Sequence, residues 1–384
     1  MGSAFSDVKI LELSTGIAGP YLAMLMGDLG ADVVKAETPK GDPWRGTPGF
    51  LVWNRGKRSI KLDFECPEAR EIVDRLVAKC DVLIVDFNSS QTKALNLDYD
   101  SIQKGNPRLI LCSVSPWGES GPYAHKPTSG RLMSAYSGYV ATQASFTGDP
   151  VYGVMPYTDY MTALLGASGI TAALLFRERT GRGQKLELSL LRNGSLGGVW
   201  GESMTRAIVE LTTPFGHAPT YRIYPTRDGW IQIAAGNPTF CGKLFIAMGK
   251  EMLVSDPRFA DLPWGVTNRE DRRALEEIIG DWVKQHTNDE VLTILEQNDI
   301  PCGPVRTIDK FASHPQVQHS NMLIELDDPS VGKIKQMGIL VPMLGTPGKI
   351  KGPCPLLGQH TQEVLGEFGY SETQISELQS NNVI

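Results

Sequence analysis

Four short apolar runs punctuate the first third of the chain: VKILELS (Val8 to Ser14), DVVKAE (Asp32 to Glu37), VLIVDF (Val82 to Phe87) and LILCSV (Leu109 to Val114). Runs of this length and composition predict buried parallel strands. Helical stretches such as Tyr21 to Leu29 and Pro67 to Lys79 lie between them, so β and α alternate and predict a Rossmann-like, doubly wound α/β sheet. The pattern then changes period. From Tyr160 to Phe176 no Pro, Lys or Glu interrupts a run rich in Ala, Leu, Gly, Thr and Ser, which predicts a core helix buried on most sides. Gly166 and Gly169 share one face of it, where another backbone could come close. Arg177, Glu178 and Arg179 mark its return to solvent, TGRGQ turns the chain, and KLELSL alternates as a strand does.

Asp159 opens that helix, and spacing alone leaves two readings of it. A side-chain oxygen capping free amides accounts for the residue. So does a carboxylate kept ionised by the helix dipole and partly desolvated, which is a usable nucleophile.

Beyond the strand the pattern weakens. Gly, Thr and Pro accumulate in NGSLGGVWGES and TTPFGHAPT, so residues 192–225 read as a connector between a large domain at 1–191 and a smaller α+β domain at 226–325. A second connector at 326–350 and a helical C-terminal segment at 351–384 follow. There are no internal repeats and no low-complexity tracts.

Composition narrows the function classes. A chain of 384 residues, 41% of them hydrophobic, can bury a large core. A net charge of −6 argues against nucleic acid as the main partner, although a local basic patch could still hold an anion. The start, MGSAFSDVKI, has neither an apolar signal core nor an arginine-rich transit segment and is only a loose match to a myristoylation signal, so the expectation is a cytoplasmic protein off the membrane. The six cysteines form no C-x-x-C and read as reduced thiols; the six histidines lack ligand spacing, and no metal site is expected.

Four basic residues stand within Asn54-Arg55-Gly56-Lys57-Arg58-Ser59-Ile60-Lys61, a solvated loop or an anion site on spacing alone. The turn STGIAGP after the first strand offers Gly16 and Gly19 ahead of a helix, but it is not G-x-G-x-x-G, and no NAD inference follows.

One resemblance runs through the whole chain. IAGPYLAMLMGDLGADVVKAE, NRGKRSIKLD, NPRLILCSVSPWGESGPY, the Gly153-to-Asp159 spacing, TGRGQ, RDGWIQIAAGN, IPCGPV and LGQHTQEVLGEFGYS occur in one order that resembles the class III CoA-transferases, the family of formyl-CoA and carnitine CoA-transferases. The resemblance implies a large domain built from N- and C-terminal segments, a smaller middle domain and an interlocked homodimer. It implies acyl-CoA and a small carboxylic acid as substrates, with no permanently bound cofactor and no metal. Asp159 becomes the nucleophile. Coenzyme A is expected at Thr15, Gly16 and Ile17, at Thr38, at Lys57 and Arg58 as phosphate donors, and at Asp86 and Phe87; Gly236 and Asn237 are candidate oxyanion donors.

Two departures matter. The usual Asn-Phe pair after the third strand is Asp86-Phe87 here, and the turn beyond it is Asn88-Ser89-Ser90. Where many members have an acid before a Q-A-x-S-G segment, this chain has Pro127-Thr128-Ser129-Gly130-Arg131. Arg131 could pair with a substrate carboxylate or face solvent. The related 2-methylacyl-CoA racemases place a histidine in that turn; here it has none, and His125 is displaced, so CoA transfer is expected ahead of racemisation or of a non-catalytic CoA-binding role.

Overall fold

The computed structural model describes residues 2–142, 151, 153–195, 218–263, 265–266 and 268–384, so most of the 192–225 stretch and His217 lie outside the described residues. The chain divides into two compact units: Met1–Val140, Tyr152–Gly197 and Pro315–Ile384 form one, and Ala141–Val151 with Gly198–His314 form the other.

In the first unit the elements run β1 (Lys9–Leu13), α1 (Ala18–Asp28), β2 (Asp32–Glu37), α2 (Pro48–Trp53), β3 (Arg58–Lys61), α3 (Pro67–Lys79), β4 (Val82–Val85), α4 (Ser89–Ala94), α5 (Tyr99–Gly105), β5 (Ile110–Ser115), α6 (Gly130–Tyr136), α7 (Tyr139–Thr142), α8 (Tyr157–Thr180), β6 (Lys185–Ser189) and α9 (Leu190–Ser195). The six strands form one parallel sheet in the order β3-β2-β1-β4-β5-β6. That order reverses direction between β1 and β4, and the crevice beyond the strand C-termini there is where such sheets bind ligands.

Period-2 alternation sends successive side chains to opposite faces. Leu11, Leu13, Val34, Ala36, Leu83 and Val85 meet α3 and the C-terminal residues Val364, Leu365, Ile375 and Val383 on one face. Ile10, Val33, Val82, Ile84 and Ile110 meet Leu22 and Met26 of α1 and Ala163, Ile170 and Ala173 of α8 on the other.

TGRGQ works as a turn for two reasons. Gly181 ends α8 with φ +73°, and its N–H bonds Arg177 O. At Gly183 a Cβ would lie 1.9 Å from Leu109 O, so only glycine fits.

Three expectations need correction. Leucine side chains, not a backbone, approach Gly166 and Gly169: Leu22 and Leu188 at the first, Leu186 at the second. Residues 323–337, read as the end of one domain and the start of a connector, form a hairpin of β10 (Leu323–Asp328) and β11 (Gly332–Met337) within the first unit. And α8 is not buried on most sides, because Leu164, Leu175 and Phe176 are 46%, 56% and 46% exposed on a face that no element among the described residues covers. By length and composition alone α8 could cross a membrane, but its Ala163, Ile170 and Leu174 pack in the core.

The second unit has an antiparallel sheet, β7 (Tyr221–Pro225), β8 (Trp230–Ala234) and β9 (Cys302–Pro304), and helices at Pro238–Ala247, Arg269–Lys284 and Asn288–Gln297. Its core joins Ile231 and Ile233 to Leu244, Leu275, Ile279, Val291 and Leu295. Strand β7 lies within the stretch read as connector, since Tyr221–Pro225 alternates against β8.

Candidate active site

The last turn of α8 is anchored at the N-terminal edge of the sheet, where Arg177 Nη1 donates to Asp81 Oδ1 at 2.8 Å. The helix runs back over the strands, so its first turn, with Asp159, lies on the C-terminal side. Pro156 precedes the helix and supplies no side-chain cap, and Asp159 is the one acid in the first turn. Its negative charge complements the helix dipole.

Asp159 is 7% exposed, and its carboxylate packs on the backbone of Gly130, where an ideal Cβ would fall 1.7 Å from Asp159 Oδ2. Gly130 is therefore obligatory. The neighbouring Thr158 hydroxyl can donate to Gly130 O at 2.8 Å or to Asp159 Oδ2 at 3.4 Å; the shorter, better bond goes to the carbonyl. Thr158 is held from behind by Gly194 of α9, which approaches its methyl group too closely for any larger residue.

Among the described residues no cation pairs with Asp159. Burial pushes its pKa up to about 6, against the pull of its own amide and the Thr158 hydroxyl. A carboxylate so placed is ionised at neutral pH yet poorly solvated, which favours nucleophilic attack. Arg131, exposed on α6, directly follows the glycine against which Asp159 packs, whereas His125 lies exposed in the preceding loop.

A second constellation forms at the strand reversal. Thr15 donates its N–H (2.8 Å) and hydroxyl (2.9 Å) to Asp86 Oδ2, bridging the turns after β1 and β4. Burial raises Asp86 to about 6, opposed by those two bonds. Gly16 has φ +73°, and the indole nitrogen of Trp44 comes within 3.6 Å of its ideal Cβ position. Ile17 begins α1 without a side-chain cap, leaving first-turn amides without a capping side chain. Phe87 turns instead into the core, edge-on to Phe64 at 5.7 Å. Thr38 is exposed at the end of β2.

Lys57 and Arg58 are elsewhere engaged. The Lys57 ammonium is buried and donates to Glu12 Oε2 (2.6 Å), Pro20 O (2.9 Å) and Asn54 Oδ1 (2.8 Å), which uses all three N–H groups. Arg58 is the first residue of β3, at the edge opposite the crevice, and its guanidinium holds Asp32, Glu363 and Glu367. Lys57 keeps no N–H for a phosphate, and Arg58 is already paired with three carboxylates at the edge away from the crevice. Gly236 and Asn237 belong to the second unit; the Gly236 N–H already donates to Ala234 O, and the Asn237 side chain caps Phe240 N.

The polar residues that the sequence reading missed lie beneath the β1 turn. Lys35 Nζ bonds Glu12 Oε1 (3.0 Å) and Ser14 O (2.6 Å) and approaches Asp42 Oδ2 at 3.2 Å. Glu37 takes Arg45 in a two-pronged pair at 2.7 and 2.6 Å, with Ser59 and the Asp42 amide on the same carboxylate. Glu12, Glu37 and Asp42 thus balance Lys35, Lys57 and Arg45. Against burial, which would raise it, Lys35 and Lys57 hold Glu12 below its usual range. Burial brings Lys57 down to about 8. The signal was present: Glu12 and Lys35 stand at interior positions of two runs that look apolar, Glu37 closes the second, and Ser59 and Lys61 alternate along β3.

Among the described residues no three His, Cys, Asp or Glu side chains converge as metal ligands. A family model described as CoA-transferase family III matches residues 5–361. The chain is 33% identical to the succinyl-CoA–L-malate CoA-transferase beta subunit of Chloroflexus aurantiacus, covering 99% of this chain and 98% of that one. It is 30% identical to the succinate–glutarate CoA-transferase of Agrobacterium fabrum, over 94% and 95% of the two chains. A crystal structure of a CAIB/BAIF family protein from Brucella suis superposes with a TM-score of 0.83 at 29% identity, covering 96% of this chain and all of that one. The six-stranded parallel sheet, the motif order and a match across nearly the whole length agree: this chain belongs to CoA-transferase family III, the acyl-CoA:carboxylate CoA-transferases.

Proposed function

We propose that this enzyme moves CoA between two carboxylic acids with Asp159 as the covalent carrier. The Asp159 carboxylate attacks the donor thioester carbonyl, and collapse of the adduct expels CoA thiolate and leaves a mixed anhydride. Thiolate then attacks the Asp159 acyl carbon, releasing the donor acid and leaving an aspartyl-CoA thioester. The acceptor carboxylate attacks that thioester, forming a second anhydride and freeing thiolate again. Attack of thiolate on the acceptor carbonyl yields the new acyl-CoA and restores Asp159. Each step exchanges one activated acyl group for another, so no external energy source enters. The observation that carries this reading is the desolvated carboxylate of Asp159 seated on Gly130, with no cation paired to it among the described residues. The protein's part is to orient that oxygen and keep water from the anhydride.

A dicarboxylic acid is the proposed substrate on at least one side. The relatives' names include succinate, malate and glutarate, and the Arg131 guanidinium, next to Gly130, suits a second carboxylate. A homodimer is part of the reading; the resemblance implies it, and the apolar face of α8 supports it.

Incubation with succinyl-CoA followed by hydroxylamine is expected to give a hydroxamate at Asp159, seen by peptide mass spectrometry, and loss of transfer in step with it. Continued transfer after full treatment, with Asp159 unmodified, would rule out the covalent route. Arg131→Met is expected to raise KM for a diacid about tenfold or more and to leave a monoacid of similar length within twofold, since it removes a charge-assisted pair worth roughly 1.5–3 kcal/mol. An unchanged diacid preference would leave the exposed Arg131 without a substrate role.

A further inference from the structure

Two elements outside α8 seat Asp159: Gly130, which opens α6 and takes the carboxylate, and Gly194 of α9, which backs the neighbouring Thr158. Both lead to one turn. Ser115 ends β5, and Pro116, Trp117 and Gly118 follow it. Pro116 O accepts the Leu191 N–H at 3.0 Å and the Ser189 hydroxyl at 3.2 Å, which ties the turn to the start of α9. The Gly118 N–H closes the turn on Ser115 Oγ at 3.0 Å.

Trp117 reaches from there to the other wall. Its ring meets Tyr136, the last residue of α6, edge-on at 4.9 Å, and meets Tyr123 in the same way at 5.1 Å. The Lys126 ammonium lies over the Tyr123 ring, 3.7 Å from its centre. The Trp117 indole N–H donates to Lys126 O at 3.0 Å, in the chain that leads into Gly130. One side chain thus holds α6 at its far end and holds the segment that enters it. Trp117 itself packs on the core shared by α1 and α8, so the brace stands on a fixed base, whereas Tyr123 and Tyr136 are 42% and 56% exposed.

Residues 116–129 join β5 to α6 with no helix or strand between them, and connections this long in a compact fold are usually functional. The seat itself leaves no slack. Asp159 Oδ2 stands where a Cβ on Gly130 would be, so a small displacement of α6 opens a gap at the reacting oxygen and admits water. Resting on the CoA-transfer reading above, we propose that Trp117 is a positioning residue: it braces α6 against the turn after β5, and through Gly130 it fixes the Asp159 carboxylate.

Initial rates of transfer by the wild-type enzyme, Trp117→Ala and Trp117→Phe, measured from about pH 4.5 to 8, test this. Trp117→Ala is expected to lower kcat about tenfold or more, part of the loss for a misplacement near 1 Å, with KM for the acyl-CoA within about twofold. Its acid limb should move from near pH 6 toward the ordinary carboxylate range by about half a unit or more, because water reaches a loosened carboxylate. Trp117→Phe keeps the ring contact with Tyr136 and should hold kcat within about threefold, with the limb in place. Arg131 of α6, Arg192 of α9 and Asp28 of α1, the charged side chains of the helices around the start of α8, are the same in every variant, so a moved limb reports the seat. Wild-type kcat and limb in Trp117→Ala, or a lower kcat with the limb unmoved, would overturn the assignment. Should Trp117→Ala not fold, Tyr136→Ala cuts the same stack from its exposed end and is read in the same way. A wild-type protein without transfer activity would instead overturn the CoA-transfer reading. The brace is then read from the Tm gain of Asp159→Asn at pH 7.5, which should fall by about half in the Trp117→Ala background and which, if unchanged there, sinks it.

Discussion

The carboxylate of Asp159, a residue 7% exposed with no cation beside it among the described residues, is an expensive group to keep charged. Its folded pKa, about 6, stands above the ordinary value of 3.8. The sign follows: the protonated form is favoured by folding, so this contribution is full below about pH 4 and is lost as pH rises through 6. Asp159→Asn should therefore stabilise the protein at pH 7.5 by on the order of 2 kcal/mol, seen as a higher Tm, and the gain should shrink to nothing near pH 4. The same variant should lose transfer by about a thousandfold or more, because an amide is no nucleophile here. Calorimetry and initial rates on one preparation check both; a destabilised or active variant contradicts the role. Transfer by the wild-type enzyme should fall as pH drops below about 6, and Asp86→Asn should keep that acid limb, since Asp159 sets it. Gly130→Ala puts a methyl group where Oδ2 now lies and should cost about 100-fold in kcat, the scale expected for a misplacement near 1 Å, with circular dichroism unchanged.

At the scale of elements, the turn from β1 into α1 is held at both ends by buried ammonium groups: Lys35 on Ser14 O at 2.6 Å and Lys57 on Pro20 O at 2.9 Å, with Glu12 between them. The charges balance only as a set. Glu12→Gln leaves two buried ammonium groups facing a neutral amide and should destabilise the protein by about 3–5 kcal/mol, read as a lower denaturant midpoint. A loss below about 1 kcal/mol would mean that the network tolerates an unpaired lysine. The same arrangement explains why a lysine in a basic turn need not meet a phosphate: Lys57 and Arg58 are adjacent, yet the chain entering β3 turns one inward beneath α1 and the other toward Asp32.

For the whole molecule, the face of α8 carrying Leu164, Leu175 and Phe176 is the test of self-association. Leu164→Glu with Leu175→Glu should convert a dimer into a monomer in light scattering at micromolar concentration, because apolar area of this kind is what a stable interface buries. A monomeric wild-type protein would remove the dimer from the proposed function.

Strand runs at Val82–Val85 and Ile110–Ser115, the helix at Pro67–Lys79 and the alternation of β with α were legible in the sequence, because backbone period and local composition are short-range properties. So were the position of Asp159 in a helix's first turn and the need for glycine in TGRGQ. What partner each charge meets was not legible. Glu12, Lys35, Asp42 and Lys57 come from four separate segments and acquire their meaning only when β1, β2 and β3 lie side by side. Likewise Gly130 and Asp159 are far apart in the sequence and are joined only by the packing of α6 on α8. A sequence orders residues along one dimension, and so it determined the elements; burial and electrostatic pairing act through space, and so only the tertiary structure decided which cations remain available to a ligand.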